Sequence, residues 1–291
     1  MVPFGVMKGF RIAKEIQLLY PEKFKNVFIG LGGFHTEKVL LACCGIYLKN
    51  IGARNIFVTN EIYGPLVTDH AVLSGKDYIQ SREAMRNLSE SVDRIRLDIF
   101  KLSNPDLLKP TESIVASLCE VFNKDKDSNK KAATVLAKLE STLTDVKFRE
   151  KFNSFNQTHG TNSELWNYWN IFLDKIMPTV IDLTRSFREA DWQLHLSAIR
   201  RAMPLLFAFG RTNYCRWMPI YYEECLNLKT KFPLLWDSFE KGDFVVHHTK
   251  RKGSGVPIDQ ALEKEYNKPA KGAGGVIGFT REKESGQSGT L

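Results

Sequence analysis

The sequence predicts a mostly α-helical protein with a small α/β part near its start. Three observations carry that expectation. From about residue 66 onward, apolar residues recur at helical spacing over most of the chain. Two short apolar runs rich in β-branched and aromatic residues, 26–31 and 55–59, bracket one long apolar helix near the N-terminus. The apolar and charged fractions, 43% and 25%, are those of an ordinary globular protein. At 291 residues the chain can bury a core in one large domain or two small ones.

Taken in order, "FRIAKEIQLLY" (10–20) has helical periodicity, and Pro21 ends it. "NVFIGL" (26–31) reads as a buried strand bounded by glycines, and "NIFVT" (55–59) as a second short strand. Between them, 35–52 is apolar almost all round, so a buried helix with Gly52 as its stop is expected. A long helix follows over 75–102, with Tyr78, Met85, Leu88, Val92, Ile95 and Ile99 near one face. A helix at 111–122, an exposed charged loop at 123–131 and one or two short helices over 132–152 come next. Ser163 caps a helix over 163–189 that Pro178 should kink. Trp192, His195, Leu196, Ile199 and Met203 make the inward stripe of a helix over 190–203, with Arg200 and Arg201 off that face. The pattern repeats over 212–228, and the polar tail 283–291 is expected to be disordered.

Composition excludes some functions. No run of 18 apolar residues occurs, so no membrane span is expected. The first residues lack a signal-peptide core, and their abrupt start predicts a truncated beginning. The five cysteines are odd in number and none is spaced as CxxC. They read as free thiols of a reducing compartment, nuclear or cytoplasmic. The net charge of +8 permits a polyanionic partner without requiring one.

Four stretches carry candidate chemistry. "GLGGFH" (30–35) sits where a strand would open into a helix, a context in which backbone N–H groups hold phosphate. It falls short of GxGxxG, so a tight turn at Gly32 and Gly33, with His35 as a capping or core histidine, is the favoured reading. In "VVHHTKRKGSG" (245–255) the adjacent His247 and His248 would point to opposite sides of a strand, so no metal site is expected. Lys250, Arg251 and Lys252 are plausible phosphate contacts. The stretch 185–216 holds six arginines against Glu189 and Asp191, with Phe187, Trp192, Tyr214 and Trp217 interleaved. Such mixing suits nucleic acid, with Arg200, Arg201, Arg211 and Arg216 as candidate contacts. The alternative is one wet basic face over an aromatic core. Lastly, "VPIDQALEKEYNKPAKGAGGVIGFT" (256–280) predicts a helix over 258–267 that begins after Pro257. Asp259 lies near its positive end, and Asp259 and Glu263 share a face. A glycine turn at 271–275 and a short strand follow.

Three blocks, "KNVFIGLGGFHTEKVLL", "DWQLHLSAIRRAMPLLFAFGRTNYCRW" and "VPIDQALEKEYNKPAKGAGGVIGFT", resemble a large uncharacterised family of transposable-element-derived proteins of invertebrate genomes, over roughly 10–282. That family is remotely similar to hAT-class transposases. The resemblance implies a partial RNase H-like core interrupted by a large helical insertion, with DNA as partner. It implies boundaries at 1–64 for the small α/β portion and 65–240 for the helical body. Residues 241–282 would be a C-terminal helix and glycine-rich segment packing back on the core, and 283–291 the tail. It also makes Glu263, or Asp259, the counterpart of the final catalytic acid. The chain departs from the pattern in two places. Val6 stands where the family has an aspartate, and Leu262-Glu263-Lys264 replaces His-Glu-Gln. One acid of three cannot hold two Mg²⁺ ions, so no cofactor and no cut-and-paste activity are expected. The readings are therefore a transposon-derived, catalytically inactive protein that binds DNA, a helical interaction module, or an active metal-dependent nuclease. The last needs further acids beside Glu263, and Glu37, Glu61 and Asp69 are the available ones.

Overall fold

Helix α3 (Gly33–Lys49) is buried along most of its length, with Leu40, Leu41, Cys44 and Leu48 fully enclosed. This computed structural model describes residues 4–49, 51–107, 116, 133–137, 140–141, 145–247, 249 and 251–267. Among them helices dominate, and one two-stranded sheet is present. The expectations for 111–122, 123–131, 271–275, the strand after it and the tail lie outside the described residues, as do His248, Lys250 and Cys119.

Helix α1 (Phe4–Leu19) precedes Pro21, which both ends it and opens the single turn α2 (Pro21–Phe24). Proline suits that position because its missing N–H would have had no partner there. The expected strand at 26–31 is not formed. Residues 27–32 are irregular, and the Val27 carbonyl accepts from Gln17 Nε2 at 2.7 Å in place of a ladder bond. The expected strand at 55–59 is helix α4 (Ala53–Thr59), which starts after Gly52 at φ 78°. With no strand beside it to pair with, the β-preference of Ile56 and Val58 has nothing to act on. The α/β part expected over 1–64 therefore has no strand among the described residues. The sheet lies elsewhere: β1 (Val245–His247) pairs antiparallel with β2 (Gly255–Pro257), Val246 opposite Val256.

Helix α5 (Pro65–Val67) runs into a π-helical turn, Thr68–Val72, and α6 (Tyr78–Ser103) matches the predicted long helix. Its inner face is shifted by one residue near the end: Arg96 and Phe100 are buried while Ile95 is exposed. Helix α7 (Val146–Asn162) is longer than expected. Ser163 caps α8 (Glu164–Ile171), its side chain accepting from the Trp166 N–H at 3.3 Å. A π-helical turn, Phe172–Ile176, then joins α9 (Met177–Glu189). Pro178 gives no N–H to the Asp174 carbonyl and crowds it, and the widened turn takes up that misfit. Helices α10 (Trp192–Ala208) and α11 (Thr212–Leu226) bury most of the predicted stripes, with Met203 and Trp217 half-buried. Asp191 caps α10, its carboxylate accepting from the Leu194 N–H at 2.8 Å. After the short helices α12 (Leu228–Lys231) and α13 (Pro233–Glu240), the hairpin leads into α14 (Ile258–Leu262) and a last π-helical turn, Glu263–Asn267.

The chain divides into two units, so the body expected as one block over 65–240 is shared between them. The first joins residues 1–83 to 178–291. Its core sets α10 against both α3 and α11, with Ile199, Leu206, Met218 and Cys225 buried. Helix α14 packs on α3. The second unit, 84–177, gathers Phe148, Phe152 and Phe155 around Phe100, with edge-to-face rings 5.1–5.7 Å apart. Arg96 is buried in it, donating to Asp93 at 2.7 Å and to Asp174 at 2.9 Å, so its charge is compensated.

Candidate functional site

The site is built where the two ends of the first unit meet. The irregular segment 27–32 ends at Gly32, whose carbonyl accepts the first bonds of α3, from the Thr36 N–H at 3.1 Å and the Thr36 hydroxyl at 2.8 Å. That leaves the N–H groups of Phe34 and His35 without a partner inside the helix. Asp259, in the first turn of α14, supplies one from the far end of the chain. Its Oδ1 accepts from the Phe34 N–H at 3.0 Å and its Oδ2 from the His35 N–H at 3.2 Å. Two helix N-termini thus bracket a single carboxylate, and both positive ends stabilise it.

The His35 ring lies between two acids. Its Nδ1 is 3.0 Å from Asp259 Oδ2, and its Nε2 is 3.5 Å from Glu263 Oε1. Glu263 is therefore not isolated: it shares one histidine with Asp259, a helical turn away. Glu37, two residues beyond His35, is 1% exposed. The Tyr78 hydroxyl donates to it at 2.9 Å, and Thr184 hydrogen-bonds it too. Burial pushes the Glu37 carboxyl up to about 7, against the pull of these hydrogen bonds and of Arg82. Burial also raises the Tyr214 and Tyr78 hydroxyls, helped by the Asp259 and Glu37 anions respectively. Three acids and a histidine are thus neighbours, but Asp259 is taken up by N–H donors and Glu37 by hydroxyls. Among the described residues no group of three or more His, Cys, Asp or Glu side chains is arranged to hold a metal ion. Of the other acids considered, Asp69 accepts from Arg54 at 2.8 Å, and Glu61 sits at φ 55° in the turn after α4.

Gly33 and Gly255 are required by close approach. A Cβ on Gly33 would lie 2.3 Å from the Phe187 ring, and one on Gly255 would lie 2.1 Å from the Phe187 carbonyl. Phe187 is thereby pinned between the start of α3 and strand β2. With Trp192 and His195 it lines a cavity of about 230 Å³ that also touches Gly32, Gly33 and Asp259. Five residues singled out in the sequence for separate reasons (Gly32, Gly33, Trp192, His195 and Asp259) share this one space. His195 is buried and neutral, its imidazole pushed down to about 3 by burial, with Nε2 at 3.2 Å from the Tyr221 hydroxyl.

The basic candidates differ in their surroundings. Arg201 donates to Asp182 at 2.6 Å. Arg211 is partly buried and hydrogen-bonds the Cys43 thiol. Arg200 and Arg216 are exposed, as are Arg251 and Lys252 in the β1–β2 loop. That loop is held to α9 by Arg188, which donates to the Gly253 carbonyl at 3.5 Å. Beside it opens a depression of about 620 Å³ with Lys76, Arg82, Arg188 and Lys264 on its walls, against Asp77 and Glu263. Lys76, just before α6, and Arg82, one turn into it, were not singled out by the sequence. No helix is long and apolar enough among the described residues to cross a membrane.

Residues 10–288 match the family described as Domain of unknown function (DUF8702). No curated protein and no solved structure matches the chain.

Proposed function

This chain belongs to the DUF8702 family, and we propose that it is a transposon-derived protein without cut-and-paste activity of its own, which contacts DNA through the basic depression of its first unit. The observation that carries this reading is the ring of Lys76, Arg82, Arg188 and Lys264, none in a close ion pair among the described residues. Four cations against Asp77 and Glu263 leave an excess of positive charge on a concave surface. Phosphate contacts of this kind supply affinity without sequence preference. The two arginines present planar forks that match phosphate oxygens. Arg251 and Lys252 extend the surface along the loop.

Asp259 and Glu263 are vestigial on this reading. Asp259 caps α3, and Glu263 faces His35. The partial RNase H-like core is the finer form of the proposal, with α14 standing for the helix that bears the last acid. No Mg²⁺ is needed for the DNA contact, and the nucleus is where the protein would act.

The test is a duplex-DNA titration at two salt concentrations. Binding is expected at low salt, and with four phosphate contacts log K should fall against log[salt] with a slope of about −3 to −4. Replacing Arg82 and Arg188 by alanine should weaken binding and flatten that slope by roughly two. No binding at low salt, or binding indifferent to salt, overturns the reading.

A second reading, a helical interaction module, is favoured by the exposed apolar row Ile12, Ile16 and Leu19 on α1. It predicts self-association or protein capture that Ile16→Lys abolishes while DNA binding stays unchanged.

A further inference from the structure

The depression that carries Lys76, Arg82, Arg188 and Lys264 is too small for a duplex to enter. A cube of its volume, about 620 Å³, is about 8.5 Å on edge, narrower than the major groove of B-DNA at about 12 Å. A duplex therefore reaches only the rim. Pockets of about 300–1,000 Å³ hold one drug-sized molecule, so the space itself is sized for a single nucleotide. Ile79, on its wall and 60% exposed, gives that nucleotide an apolar surface for its sugar or base, and Gln260 brings an amide beside it.

Charge narrows the guest further. The two acids among the described wall residues are both engaged. Asp77 Oδ1 accepts from the Gln80 N–H at 3.0 Å, and Glu263 Oε1 is 3.5 Å from His35 Nε2. The cations are held more loosely. Arg82 Nη1 donates to the Tyr78 hydroxyl at 3.4 Å and Arg188 Nη1 to the Gly253 carbonyl at 3.5 Å, long bonds to neutral acceptors. Lys76 and Lys264 are exposed. The Glu37 carboxyl behind Tyr78 is pushed up to about 7 by burial, so near neutrality it adds only part of a negative charge. Four cations against two acids leave an excess of two. A phosphodiester inside a strand carries one negative charge. A phosphate monoester carries about −1.5 to −2 at pH 7 and presents three strong acceptor oxygens. The monoester is the better match, and an arginine fork can meet two of those oxygens at once.

We propose that this depression is a phosphomonoester site, which holds the dianionic phosphate of one nucleotide, free or at a strand end, in preference to the diesters of a continuous backbone. The proposal deepens the DNA reading and rests on its assignment of these cations to phosphate. The experiment titrates the full chain with an internally fluorescent duplex in three forms: closed by hairpin loops, open with hydroxyl ends, and open with a 5′- or 3′-phosphate on a short overhang. At least one phosphorylated end is expected to bind about tenfold more tightly than the hydroxyl end, the size of one or two added charge-assisted hydrogen bonds. Deoxyadenosine 5′-monophosphate should compete with that end, and deoxyadenosine should not. End preference without such competition assigns the strand end as the source of the phosphate. Competition without end preference assigns the free nucleotide. Lys76→Gln with Lys264→Gln, both at exposed positions, should bring the effect of the phosphate towards nothing. Ile79→Trp, which fills the depression, should do the same in a chain whose circular dichroism spectrum is unchanged. Phosphorylated ends that bind no better than hydroxyl ends, together with no competition by the monophosphate, overturn the proposal. So does a phosphate effect that survives in both folded variants. In either case salt-dependent binding of the closed duplex leaves the DNA reading standing. A closed duplex that does not bind while the monophosphate does removes the DNA reading and keeps this one.

Discussion

At the scale of the residue, Glu37 sets a measurable pH dependence. Its carboxyl is held at about 7 when folded, above the ordinary 4.5, because burial disfavours its charge. The folded state therefore binds more protons than the unfolded state between those values. The stability this contributes is full below about 4.5 and is lost as pH rises through 7. Glu37→Gln keeps an acceptor for the Tyr78 hydroxyl and removes the ionisation. The variant should be more stable than the wild type at pH 8, by up to ~3 kcal/mol, in denaturant unfolding. His195 acts in the opposite sense. Its folded value near 3 means stability is lost as pH falls below its ordinary 6.5. With Glu37 silenced, that loss should emerge as a steeper decline from pH 6.5 downward. Asp259→Ala strips two N–H groups and His35 of one acceptor and should cost about 2–3 kcal/mol, read as a lower denaturation midpoint. The sequence made Asp259, Glu263 and His35 visible as separate candidates. It could not show that they touch, because spacing along a helix says nothing about a partner more than two hundred residues away.

At the scale of the element, the helices were legible where periodicity was strong and the inward face continuous. The α10 stripe and the caps at Ser163 and Asp191 follow from local chemistry alone. The strands were not legible. Residues 26–31 and 55–59 have β-like composition, but a strand needs a neighbour and none is formed beside them. The true hairpin has only three residues in each strand, too few for alternation to register. On α6 the helix was evident, but the identity of its inner face was not, because Arg96 is buried in an ion-paired site that composition would assign to solvent. Gly33 illustrates what an element junction demands. Gly33→Ala would drive a methyl into the Phe187 ring, so a cost of about 1–3 kcal/mol is expected in thermal or chemical unfolding. A substitution as small as this should also perturb the neighbouring cavity, visible in the fluorescence of Trp192.

At the scale of the whole molecule, the chain divides into two units. The second unit is one continuous segment, 84–177, whereas the first is assembled from two segments on either side of it. No pattern in a sequence announces that residues 1–83 and 178–291 share a core. Removing residues 241–291 would take away the hairpin, α14 and the Asp259 cap together. Hydrogen exchange of that truncated chain should lose protection at the start of α3, while α7 and α8 keep theirs. The same discontinuity governs the newborn protein. His35 and its carboxylate partner are 224 residues apart. At about 5–20 residues per second, a ribosome needs roughly 10–45 s to deliver the second after the first. Throughout that interval the amides of Phe34 and His35 must find water or a chaperone, so slowing translation anywhere between the two positions prolongs the period of vulnerability to aggregation.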